Sequence, residues 1–309
     1  MRRAFIEAVT ALAAVNSQII ILTGDMGFSI LEDFAARFPG RLINAGIAEQ
    51  NMMGMAAGLA ASGKIVFTYS IANFAMLRCV EQFRNDVCYH RLPVIAVSVG
   101  AGTAYGAQGY THHGIEDAAF TRLLPHVAVA SPGDPAEVGW ATTRLVERRG
   151  PASLRLGRGG EPAIHRLTPA GPIEQALTLQ PAGKDVTLIA SGAVLVEAVA
   201  ALDLLRARGI EAGLLSMPFL QPLDSGALEE IARTSRLVLT VEEHVRHGAL
   251  GGAVAEVLAG LAGGKARLVR AGLTSTPLPY AASQDAMRRY YGLDAHELAK
   301  RVLAELDAA

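Results

Sequence analysis

The chain has 309 residues, about two domains' worth, and 51% of them are hydrophobic against 18% charged, so some apolar surface is left over for a subunit interface. Its 28 basic and 29 acidic side chains leave a net charge of −1 with no block of like charge, which excludes the footprint of a nucleic-acid or anionic-membrane partner and leaves protein and small molecule. Two cysteines, Cys79 and Cys88, sit in what reads as one helix and give neither a disulfide framework nor metal-ligand spacing, as expected in a reduced, cytoplasmic compartment.

The opening MRRAFIEAVTALAAV has a helical period interrupted by Glu7 and is read as the first helix of a soluble protein, not as a signal peptide. No apolar stretch of ~18 residues runs uninterrupted, so no membrane span is expected. Short β-rich runs then alternate with helical patterns: Gln18 to Leu22, Lys64 to Tyr69, Pro93 to Val99, His126 to Ala130 and Ala152 to Leu156. This alternation predicts an α/β fold with parallel sheets and crossover helices. Asp134 and Pro135 read as the N-cap and first residue of a helix. From Gly157 to Lys184 the periodicity collapses into a Gly- and Pro-rich passage, the expected linker. A second alternating run follows: Asp185 to Ala190, a helix through Leu205, Glu211 to Met217, a helix from Asp224, Leu237 to Val241, a helix from about Leu250, and Ala266 to Arg270. Asp294 with Glu297 forms a capping box ahead of the closing helix. The predicted organisation is a domain over 1–160, a linker over 161–184 and a second domain over 185–309.

Ligands in open parallel sheets bind beyond the carboxyl ends of the strands, which directs attention to the loops Thr23 to Ile30, Ser70 to Phe74 and Gly100 to Ile115. Between the first two, Asn44-Ala45-Gly46-Ile47-Ala48-Glu49-Gln50-Asn51 leads into a helix of small residues. A carboxylate at Glu49 flanked by Gly46, Ile47, Ala48 and an apolar helix is poorly solvated, which suits a proton-sharing role; taken alone, it reads more readily as a helix-start glutamate favoured by the dipole. In Gly106 to Asp117, three glycines surround His112 and His113, so the backbone can approach a ligand while imidazole exchanges protons near neutral pH. The passage VFTYSIANFAMLRCVEQFRND carries aromatic residues able to stack on a flat ring, although Phe74 and Phe83 at helical spacing also fit a core.

In this order, GDMG, GIAEQN, the aromatic-bearing loop, GxxGxTHHG, SPGDPAEV, VTLIASG, GIEAGLLSMPFLQPLD and VEEHVRHGALGGAVAE resemble the carboxy-terminal two-thirds of transketolase and of 1-deoxyxylulose-5-phosphate synthase. The resemblance covers essentially the whole chain. It implies a thiamine-diphosphate pyrimidine-binding domain followed by a transketolase C-terminal-like domain. It further implies that Glu49 hydrogen-bonds N1′ of the aminopyrimidine, favouring the tautomer whose 4′ nitrogen removes the C2 proton. Phe74 is similar to the aromatic that stacks on that ring, with Ile71 where the family has a preceding phenylalanine. Asp25 and Met26 resemble the pair that lies against the cofactor, and His112 the histidine near the reacting centre. Arg2, Ser29 and Arg158 align with the cluster that grips a sugar phosphate, a task suited to guanidinium groups and a hydroxyl. The family's histidine loop reads GEDGPTH, so here Gln108 replaces an acidic residue that contacts substrate hydroxyls and Tyr110 replaces proline.

Enzymes of this kind also need a GDG motif and an asparagine that hold a divalent metal, Mg2+ or Ca2+, on the diphosphate. The sequence contains no GDG. The resemblance therefore implies a separate diphosphate-binding subunit, an α2β2 assembly, and a transketolase-like transfer of a two-carbon ketol unit between sugar or sugar-phosphate substrates. Two alternatives share the architecture: the β subunit of a 2-oxo acid dehydrogenase E1, passing an acyl group to a lipoyl acceptor, and an acyloin condensation like that of deoxyxylulose-phosphate synthase. The THHG, SMPFLQPLD and VEEH segments favour transketolase or deoxyxylulose-phosphate synthase over the E1 reading.

Overall fold

The computed structural model describes residues 1–262, 266–274, 276 and 281–308. The apolar runs of the first half become β1 (Ile19–Thr23), β2 (Leu42–Asn44), β3 (Ile65–Ile71), β4 (Val94–Val99), β5 (Ala128–Ala130) and β6 (Ala152–Leu156). β1, β3, β4 and β6 are buried along their whole length, and that is why none of them alternates cleanly between apolar and polar: a parallel sheet covered on both faces has no solvent side to alternate toward. The second half supplies β7 (Leu177–Gln180), β8 (Val186–Ser191), β9 (Ala212–Ser216), β10 (Phe219–Gln221), β11 (Leu237–Val245) and β12 (Arg267–Leu273).

Two sheets result, ordered β10-β5-β6-β4-β3-β1-β2 and β12-β11-β8-β9-β7. All neighbours run parallel except β10 on β5 and β7 on β9. The expected α/β class with two mainly parallel sheets is therefore present. β10 comes from the second half of the chain yet closes the edge of the first sheet, stitching the two layers together. No helix among the described residues is long and apolar enough to cross a membrane.

Three strands escape the sequence pattern. β2 and β10 have three residues each, too few to show a period, and β7 lies inside the passage read as linker. β7 is a partly exposed antiparallel edge whose Thr178 and Gln180 give it a polar character, so it needs only one partner and one buried face. The helix expected through both cysteines is instead three short turns, Leu77–Cys79, Val80–Gln82 and the π-helical Phe83–Cys88. Both thiols are free and buried, and burial pushes each up to about 12.

Asp134 caps the helix Pro135–Arg148 as expected, its Oδ1 accepting the Glu137 N–H at 2.8 Å. Its Oδ2 also accepts the N–H groups of Ile164 and His165 at 2.8 and 2.7 Å, so one buried carboxylate pins the segment after β6 to the first domain. Burial alone would raise this carboxyl; the His165 ring, its Nδ1 3.3 Å from Oδ2, and the bonds from the three backbone N–H groups outweigh it and hold the group at about 2, below its ordinary 3.8. A depressed folded value means stability present above 3.8 and lost as pH falls toward about 2. Asp134→Ala is expected to lower stability by about 2–3 kcal/mol at neutral pH and, in urea melts at a series of pH values, to flatten that acid-side decline.

Candidate functional site

The carboxyl ends of β4, β3, β1 and β2 lie side by side, and the loops leaving them bring the expected residues to one rim. Glu49 opens the helix Glu49–Ala61 and is 2% exposed. Gly24 packs directly over it: a Cβ there would stand 3.6 Å from Oε1. Asn44 ties the two neighbouring loops, donating to Asp25 Oδ1 at 2.9 Å and accepting from the N–H groups of Asp25 at 3.1 Å and Gly46 at 2.9 Å. Asp25 adopts a positive φ of 58° to make these bonds. Met26 is fixed by Thr23, whose hydroxyl accepts the Met26 N–H at 3.1 Å and donates to its carbonyl at 2.7 Å.

Glu49 is buried as expected, and it has a partner that its flanking residues did not announce: Arg78 Nη1 donates to its Oε2 at 2.6 Å. The same guanidinium lies over Phe74, its carbon 4.6 Å from the ring centroid. Phe74 in turn meets His112 edge-on with centroids 5.5 Å apart. Asn73 Nδ2 donates to the Thr111 carbonyl at 3.1 Å, and Thr111 Oγ1 is 3.0 Å from His112 Nδ1. Glu49, Arg78, Phe74 and His112 thus form one contiguous row. Ile71, the last residue of β3 and three residues before Phe74, is buried.

The two histidines divide their tasks. His113 is buried with Nε2 3.3 Å from the Gly106 carbonyl, and burial pushes its pKa below the ordinary value, whereas His112 stays half-buried beside Phe74. Their loop is held from behind. Thr103 donates its N–H to Glu243 Oε1 at 2.9 Å and bonds the same oxygen through its hydroxyl. Glu243 itself is gripped by Arg288 at 2.9 and 3.1 Å and by Gln284. Farther along, Arg155 pairs with Asp117 at 2.9 Å and donates to the Gly114 carbonyl at 2.8 Å. Gly114 has no room for a side chain, because a Cβ would stand 2.6 Å from that of Ala72, and so the histidine loop seats tightly on the passage carrying Phe74.

The phosphate-gripping trio is brought together only in part. Arg2 lies beside Tyr69, whose hydroxyl is pushed up to about 12 by burial with Arg2 opposing, and its Nη2 is 3.6 Å from where a Cβ on Gly159 would be. Arg158 is exposed and lines a cavity of about 220 Å³ with Gly106, Ala107 and Gln284. Ser29 sits on the exposed loop past Gly27 at φ 62°, its N–H bonded to Glu32 at 2.7 Å. Gln108 is exposed at the mouth of the histidine loop.

These residues fit half of a thiamine cofactor. A buried carboxylate beside an aromatic face that already takes a flat, in-plane donor matches the demands of an aminopyrimidine. The other half finds no match: among the described residues, Asp134, Glu137 and His165 are the one set of three such donors close enough to share a cation, and Asp134 there is committed to capping a helix. At the Glu49 rim, the Asp25 carboxylate is bonded to Asn44.

Comparison with known proteins matches residues 1–161 to the transketolase pyrimidine-binding domain and residues 174–298 to the transketolase C-terminal domain. A protein of Methanocaldococcus jannaschii, provisionally described as a transketolase C-terminal section, is 37% identical over 309 residues, covering 99% of this chain and 96% of its own. The 1-deoxy-D-xylulose-5-phosphate synthase of Thermomicrobium roseum is 37% identical over 313 residues, and the match covers 98% of this chain but only 48% of the synthase. A solved structure titled as a split gene transketolase, an inactive β4 tetramer, superposes with a TM-score of 0.88 at 37% identity, covering 99% and 97% of the two chains.

Proposed function

The chain belongs to the transketolase family, and on that premise we propose that it is the pyrimidine-activating subunit of a two-chain enzyme that moves a two-carbon ketol unit from a ketose or ketose phosphate to an aldehyde. Enzymes of the family use thiamine diphosphate. When bound, the cofactor supplies a carbon nucleophile that adds to a carbonyl and accepts the electron pair released by C–C cleavage.

The observation that carries the reading is the buried Glu49 carboxylate set beside the Phe74 ring with His112 edge-on to it. Glu49 shares a proton with N1′ of the aminopyrimidine, a contact that gains strength in a site shielded from water. Phe74 offers its face to the ring, while Asp25, Met26 and Ile71 shape the surrounding wall. His112 steadies substrate oxygens or carries a proton. Arg2, Arg158 and the Ser29 hydroxyl hold the phosphate, with Gln108 as a partner for substrate hydroxyls. Gln108, neutral where relatives carry an acid, shifts substrate preference away from theirs.

Diphosphate and its Mg2+ or Ca2+ fall to a separate chain, so the complete site forms between subunits in an α2β2 assembly. The half-length match to a synthase and the near-full match to a split-gene protein both support a division of this kind. The purified chain is expected to bind thiamine diphosphate weakly and to turn nothing over; calorimetry with magnesium, with and without a chain carrying the GDG motif, tests this. Tight binding or turnover by the lone chain would overturn the proposal.

A further inference from the structure

Arg78 has no part in the reading above, yet its guanidinium stands between the two groups that reading assigns to the aminopyrimidine. It donates to Glu49 Oε2 at 2.6 Å while its carbon lies 4.6 Å from the centre of the Phe74 ring. A guanidinium is planar, stacks on aromatic faces and presents donors in its own plane. An aminopyrimidine presents the same pair of features: a flat face for the ring and in-plane nitrogens for the carboxylate. Resting on the assignment of Glu49 and Phe74 to that ring, we propose that Arg78 is a built-in competitor for the aminopyrimidine seat, and that it must swing off Glu49 and Phe74 for the cofactor to enter.

Three features of the chain support the exchange. Arg78 is 46% exposed, so the displaced side chain has solvent to move into. Its pairing with Glu49 is half in water and easily given up, as is a stacked cation at a rim. Finally, Glu49 is buried, and a buried carboxylate left without a partner is costly, so an arginine that covers it until a better partner arrives keeps the pocket formed.

The test is calorimetric titration of the full-length chain with thiamine diphosphate and magnesium up to millimolar concentration, comparing wild type with Arg78→Ala and Arg78→Gln. Arg78→Gln keeps most of the stem and serves if the alanine variant unfolds. Freed of the competing pair and stack, both variants are expected to bind on the order of tenfold more tightly than wild type. Equal or weaker binding overturns the proposal, as does binding undetectable in wild type and variants alike. Glu49→Gln, alone and combined with Arg78→Ala, separates this inference from the reading beneath it. If Glu49→Gln weakens binding while Arg78→Ala changes nothing, the competitor fails and the seat stands. If Arg78→Ala tightens binding and adding Glu49→Gln leaves it unchanged, the role of Glu49 fails instead.

Discussion

Arg288→Met is expected to destabilise the fold by about 3–5 kcal/mol, the cost of stranding a buried charge. Glu243 lies in the interior of β11, with Arg288 the guanidinium that compensates it. Burial would raise the Glu243 carboxyl; the charge of Arg288 first, then the bonds from Thr103 and Gln284, hold it below the ordinary carboxylate range instead. Removing the cation leaves that charge buried with only the neutral bonds from Thr103 and Gln284 to hold it. Glu243→Gln combined with Arg288→Met should cost less than the sum of the single changes, since the double variant leaves only the partly exposed Glu197 without its arginine. Urea unfolding of the three variants measures this, and a single-variant loss below about 1 kcal/mol would put the pair in the class of surface ion pairs. The consequence reaches the site. Thr103, bonded to Glu243, begins the loop that carries His112, so amide exchange across 103–115 should quicken in Arg288→Met well before global unfolding.

How far the sequence disclosed this arrangement depended on whether a feature was local. β1, β3, β4, β6 and β8 announced themselves because a strand buried on both faces is mostly apolar, with only scattered Ser, Thr or, in β6, Arg155, and their ends fell close to the apolar runs. The Asp134 and Asp294 caps were legible for the same reason, a cap being decided by a few consecutive residues. Glu297, expected to reach back toward its own cap, instead reaches Lys300, which leaves the Asp294 box half made. What stayed hidden was set by distant partners. β10 is three residues whose pairing lies across the fold on β5, and Glu243 meets Arg288 over a separation of 45 residues.

Within the site, Glu49, Phe74 and His112 emerged from their loops, while the pairing of Glu49 with Arg78 did not. No local signal gave it away: Phe74 lies in the turn Ala72–Ala75 and Arg78 in the separate turn Leu77–Cys79, and only the break between them brings the guanidinium over the ring. Asn44 was quoted within its segment but without its task, because nothing short of the folded loops shows one amide bonding Asp25 twice and Gly46 once.

Glu49→Gln should slow cofactor activation by about 10²–10⁴-fold, the range carried by a positioned acid–base group. That corresponds to roughly 3–6 kcal/mol of barrier. The amide matches the carboxylate in shape and still accepts a hydrogen bond from Arg78, so the helix Glu49–Ala61 and the loop beneath Gly24 should keep their places. Its deficit is chemical: an amide cannot share a proton with a ring nitrogen. Losing a half-exposed ion pair costs stability at most about 1 kcal/mol, too little to mimic a catalytic defect by unfolding. The decisive measurement is the rate at which the complex reconstituted with the diphosphate-binding chain exchanges the C2 proton of thiamine diphosphate for deuterium, followed by proton NMR after acid quench. Exchange should collapse toward the rate in free solution in Glu49→Gln while the cofactor remains bound; exchange as fast as in the wild-type complex would contradict the account at its centre.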